Sequence, residues 1–161
     1  MPKISSRAST VISFVLSITL VALILFMMIV MPFFIEKAPF LWQIRNWFAE
    51  KPAILGVSGV AVFWIWAYAV MLVAEICCIA MVMLLFRVRR GLVFSPLTVS
   101  LIRFVSWSCI LIAFLCIAVV YHFHMAYLLA LAAAFLGLCV RVVKNVIEQA
   151  TEIKNENDLT V

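Results

Sequence analysis

Glu75 is the residue on which any chemistry of this sequence would turn. It is the one charged side chain in the apolar run from Ala53 to Phe86, and it stands twelve positions before Arg87. In a helix that spacing is about 18 Å, which places the carboxyl near the mid-depth of a bilayer. A charge there costs roughly 2.5–3.5 kcal/mol on insertion scales, so the side chain should face other helices and not lipid. Arg103, about two turns into the third span, is the nearest cation by depth. Two readings stand side by side: a structural pair or hydrogen-bonded carboxyl, and a proton or cation site. A transport path ordinarily needs a second polar group from another helix, which favours the structural reading.

His122 and His124 form an H-x-H pair. On a strand that spacing points both rings one way, whereas on a helix they diverge, and two ligands leave a zinc site incomplete. Aromatic residues at an interfacial turn are the expectation. The serines of Ser106-Trp107-Ser108 have no histidine at similar depth to activate them. Cys77, Cys78, Cys109, Cys116 and Cys139 all fall in apolar runs without metal-ligand spacing, as small hydrophobes do. There is no glycine-rich phosphate loop, no HExxH helix and no nucleophile elbow. No catalytic residue, cofactor or metal is expected, and an enzyme is not the reading.

The elements that hold these residues follow from composition. The 161 residues are 68% hydrophobic and 12% charged, with a mean hydropathy of +1.27. A soluble domain is nearer half apolar and about a quarter charged, because its surface meets water. The bias points to lipid as solvent and to one all-α domain, an integral membrane four-helix bundle covering 1–161. Spans are expected at 9–32, 53–86, 97–121 and 124–147, followed by a tail at 148–161. Pro32 should stop the first span, which is too long for a signal-peptide core and lacks a small-residue cleavage site after it. Phe104 to Val140 contains no Asp, Glu, Lys or Arg. As one helix it would exceed roughly 50 Å, so it must fold back, with the turn at Tyr121-His122-Phe123-His124.

Four spans put both ends on one side. Lys3, Arg7, Arg87, Arg89, Arg90, Arg103, Arg141, Lys144 and Lys154 share that side, against Lys37, Arg45 and Lys51 on the other. The excess predicts that both termini are cytoplasmic. The basic residues flank apolar spans, as topology signals do, so direct nucleic-acid binding is not expected. In the first outer loop Pro39 can open a helix, and Phe40, Leu41, Ile44, Trp47 and Phe48 recur at helical spacing. The pattern predicts a short helix in the outer headgroup layer, anchored by Trp42 and Trp47. Ser9, Ser13 and Ser17 form a small-residue stripe on the first span. The fourth helix is expected to run past the membrane to about Lys154, so that Glu148, Glu152 and Glu156, four residues apart, share one face of it, with Asp158 beyond. That acidic stripe reads as a solvated face or as a docking surface.

The link Arg87-Val88-Arg89-Arg90-Gly91-Leu92-Val93-Phe94-Ser95 and the ending Glu156-Asn157-Asp158-Leu159-Thr160-Val161 together resemble the YoaS-like family of small bacterial four-helix membrane proteins, a domain of unknown function. The family's Gly-x-x-Phe-Ser/Thr link, the arginine in the next helix and the closing Glu-Asn-Asp-Leu-Thr match Gly91, Phe94, Ser95, Arg103 and Glu156 to Thr160. Thr98 stands where the family often has asparagine. The resemblance implies a bacterial cytoplasmic membrane and a neighbouring small helix-turn-helix regulator of the Cro/repressor type. It brings no catalytic or ligand residues. Link and tail emerge on one face, one basic and one acidic, and either pair together or jointly meet a partner. The leading expectation is a non-catalytic regulatory membrane protein. Its candidate partner-binding residues are Arg87, Arg89, Arg90, Glu148, Glu152, Glu156 and Asp158. The rival is a small oligomeric transporter or immunity-type protein that uses Glu75, and a homo-oligomer fits either.

Overall fold

The computed structural model describes residues 6–35, 37–51 and 56–159. Among them five helices follow in chain order: α1 (Ser6–Phe34), α2 (Pro39–Ala49), α3 (Gly59–Arg89), α4 (Pro96–Ala118) and α5 (Ala126–Leu159). All but α2 are long and apolar enough to cross a bilayer. The architecture is all-α, with a short helix after the first span. It is that of a multi-pass membrane protein.

Each long helix packs on its neighbour in the chain, α1 on α3, α3 on α4 and α4 on α5, while α2 lies against the start of α3. Contacts at both ends fix the directions. At one end the guanidinium of Arg89 sits 5.4 Å from the centre of the Phe14 ring, joining the end of α3 to the start of α1. At the other, Trp47 of α2 stacks on Phe123 of the α4–α5 turn at 5.7 Å. The first is here called the basic end and the second the α2 end.

A cluster of buried apolar residues gathers at the α2 end. Pro39 occupies the first turn of α2, where its missing N–H is lost to no intrahelical bond. Ile44 and Phe48, four residues apart, point inward and are buried. Phe48 is fully enclosed by Phe63 edge-on at 5.4 Å, Trp66 stacked at 5.9 Å and His122 stacked at 5.1 Å. Such ring pairs contribute about 0.5–1.5 kcal/mol each beyond area burial. Trp42 and Trp47 are exposed, as anchors would be, although Trp47 also covers Phe123. The crossing of α2 over α3 depends on Gly59, because a Cβ there would lie 1.8 Å from the Phe48 carbonyl oxygen.

Pro32 does not stop α1, which continues to Phe34. A proline inside a helix leaves the carbonyl four residues earlier without its N–H. That carbonyl belongs to Met28, and the Tyr68 hydroxyl of α3 donates to it at 3.2 Å. In lipid a freed carbonyl needs such a neighbour, and α3 supplies it. Elsewhere α1 buries none of its span from Val11 to Phe34. Ser17 donates to the Ser13 carbonyl at 2.9 Å within the helix, and the Ser9 side chain lies outside the described residues.

The other boundaries shift modestly. The expected start of the second span at 53 lies outside the described residues, and α3 runs on to Arg89, three residues past 86. α4 ends at Ala118 where 121 was expected, and the turn at 119–125 contains Tyr121 to His124. α5 starts at Ala126 and continues past the membrane as one helix, as expected, reaching Leu159 where about Lys154 was expected.

The link at the basic end is a compact cap. Gly91 adopts φ +74°, a left-handed conformation that glycine takes without strain. Ser95 caps α4, accepting from the Thr98 N–H at 3.4 Å, and Thr98 donates its hydroxyl to the Leu92 carbonyl at 2.8 Å. Thr98 is buried. The residues that carry the family resemblance therefore reverse the chain and start α4.

Candidate functional site

Arg103, Lys144 and Glu148 meet between α4 and α5 towards the basic end. Arg103 Nη2 donates to Glu148 Oε1 at 3.1 Å. Lys144 Nζ, one turn back along α5, donates to the other oxygen, Glu148 Oε2. It also lies 3.4 Å from Asn145 Oδ1. The Lys144 side chain is only 14% exposed, against 56% for Arg103. The antiparallel register that brings these residues level is set one turn deeper, where Ser106 donates to the Gly137 carbonyl at 2.9 Å. Close to that bond the Arg141 guanidinium lies 5.3 Å over the Trp107 ring. Arg103, Ser106, Trp107, Arg141, Lys144 and Asn145 together line a cavity of about 160 Å³.

Glu75 stands apart from this cluster. The residue is 7% exposed, and both carboxyl oxygens are buried without a hydrogen-bond partner among the described residues. The side chain faces the other helices and not the outer surface of the bundle. The cation expected beside it is engaged elsewhere: Arg103 pairs with Glu148. Two separate features thus replace the single Glu75–Arg103 site.

The link arginines are drawn into local structure. Arg87 donates to the Ser95 hydroxyl at 3.4 Å, Arg89 covers Phe14, and Arg90 sits 4.2 Å over Phe86. Of the acidic stripe, Glu148 turns towards α4 and is held there by two cations. Glu152 is exposed and lines an adjoining groove of about 290 Å³ with Pro96, Ser100 and Thr151. Glu156 is exposed on the same helix, and the side chain of Asp158 lies outside the described residues.

His122 is the feature that periodicity missed. It is 3% exposed beneath α2, stacked on Phe48, with both ring nitrogens unpartnered among the described residues. His124 is exposed beside it. A cavity of about 340 Å³ at this surface is lined by Trp47, Glu50, Lys51, His122, His124 and Met125. Among the described residues no group of three or more His, Cys, Asp or Glu is placed to hold a metal. Ser106 and Ser108 donate to the carbonyls of Gly137 and Phe104, so both hydroxyls serve backbone.

No curated protein and no solved structure matches this chain. A family model does, described as a protein of unknown function, DUF2975, and it matches residues 38–161. The match takes in α2 to α5, the link, the ionic cluster and Glu75, and it leaves α1 outside. The chain belongs to the DUF2975 family.

Proposed function

We propose that this protein is a non-catalytic regulatory membrane protein of the YoaS-like kind, with its basic end in the cytoplasm and the end of α5 as the element a cytoplasmic partner binds. The observation that carries the reading is the continuity of α5. One helix of 34 residues is about 50 Å long, some 20 Å more than a hydrocarbon core. Its outer part cannot lie in the same apolar layer as its inner part. Glu148 clamps it to α4 where the extension begins. A shift between α4 and α5 would therefore reach Glu152 and Glu156 through a rigid rod, without a hinge to absorb it.

The partner that suits exposed carboxylates on such a rod has a basic surface. A small helix-turn-helix regulator has one, because it binds phosphates, and an acidic helix competes with DNA for it. Deleting Glu152 to Val161 leaves the clamp in place and should release the regulator and alter transcription of its targets. Retained regulator and unchanged transcription in that deletion would end the reading.

A second reading rests on Glu75. A buried carboxyl without a hydrogen-bonding neighbour needs a proton or a cation as company in a membrane. Under this reading Glu75→Gln abolishes function while the deletion of Glu152 to Val161 does not. Under the first, the two variants behave the opposite way.

A further inference from the structure

The α4–α5 hairpin is short of charge over a limited length. Residues 104–118 and 126–140 carry no Asp, Glu, Lys or Arg, about 21 Å of each helix. A hydrocarbon core is about 30 Å thick. Arg103 and Arg141 at the ends of these stretches are therefore held at the boundary of the acyl region. Long basic side chains there reach for the phosphate layer. Arg103, Arg141 and Lys144 converge on the cavity beside Trp107, and among the described residues the one acid paired with any of them is Glu148, which holds Arg103 and Lys144. Both oxygens of that carboxylate are already taken. Three cations against one anion leave an excess of positive charge at that boundary, which attracts an anion.

The shape of the cavity narrows the class of anion. About 160 Å³ is several times the roughly 30 Å³ share of a water molecule. That admits a phosphate group but not a headgroup with its chains. Trp107 at the rim is half exposed, and a tryptophan at the interface lies along a lipid's glycerol and upper chain. We propose that this cavity seats the phosphate of an anionic phospholipid, with Arg141 and Lys144 as the principal donors and Arg103 shared with Glu148. A zwitterionic lipid brings its own ammonium into an already cationic site, so an anionic headgroup is preferred. The proposal does not depend on which leaflet the basic end faces, nor on the regulatory reading.

The test uses the full chain in nanodiscs of phosphatidylcholine, with and without one part in five phosphatidylglycerol. Lipid retained after gentle extraction is counted by native mass spectrometry. Phosphatidylglycerol should be enriched over phosphatidylcholine, and enrichment should fall roughly fivefold for each cation removed in Arg141→Gln and Lys144→Gln. Arg141→Lys should keep most of it. Glu148→Gln, which removes the competing carboxylate, should raise it. Inorganic phosphate should neither raise the thermal midpoint in the phosphatidylcholine discs nor displace phosphatidylglycerol in the mixed discs. Equal retention of the two lipids, or enrichment unchanged in all variants, would overturn the proposal. Protection by inorganic phosphate with displacement of the lipid would overturn the lipid assignment and give the cavity to soluble phosphate.

Discussion

The two carboxylates that matter in this molecule, Glu75 and Glu148, differ in what surrounds them. Glu148 has a cation on each oxygen, whereas Glu75 has neither cation nor hydrogen-bond partner among the described residues. Glu75 is buried among the helices, and depth counted along the sequence cannot foresee that Arg103 pairs with Glu148. The reason is that a helix running past 147 is legible in the sequence, whereas the antiparallel register that brings Glu148 level with Arg103 is set by contacts between α4 and α5. The regulatory account expects Glu75→Gln to insert, fold and regulate like the wild type, since glutamine retains the shape and a hydrogen-bonding head. A reporter of the partner's target genes checks this, and loss of regulation with normal membrane levels would favour the proton or cation reading.

Helices in lipid gain no hydrophobic drive from meeting each other, so close approach and satisfied backbone groups decide which faces pair. The α1–α3 contact illustrates this, because Pro32 frees the Met28 carbonyl and Tyr68 occupies it. Tyr68→Phe should lower stability by about 1 kcal/mol. The loss should shrink in a Pro32→Ala background, where the helix supplies its own N–H. Thermal unfolding of the four proteins in one detergent gives the coupling, and strictly additive effects would show that the hydroxyl does not serve that carbonyl. At the α2–α3 crossing, Gly59→Ala places a methyl against the Phe48 carbonyl. It should cost at the upper end of about 1–3 kcal/mol, with increased exposure of Trp66 and Trp47 seen as a fluorescence shift. An unchanged midpoint would mean that α2 does not pack as described. Pro39 and the apolar spacing made α2 legible in the sequence. The burial of His122 was not, because it depends on α2 folding over a turn more than 70 residues away.

Taken whole, the molecule is an ordered set of helices in which, among the described residues, α1 packs chiefly on α3, and the family match begins beyond α1. The number and approximate length of the spans were readable, since a bilayer imposes one length on every crossing and excludes charge from within it. Pairings across helices were not, since they rest on single bonds such as Ser106 to Gly137 that no local pattern encodes. The central claim is that the basic end, with the exposed end of α5, faces the cytoplasm while α2 faces outward. The direct measurement is labelling of single cysteines, in a background without the five native ones, by a membrane-impermeant thiol reagent applied to intact cells. Gln43→Cys, exposed on α2, should label from outside. Lys154→Cys, exposed on α5, should label only after the membrane is permeabilised. Labelling of Lys154→Cys in intact cells, with Gln43→Cys spared, would contradict the account.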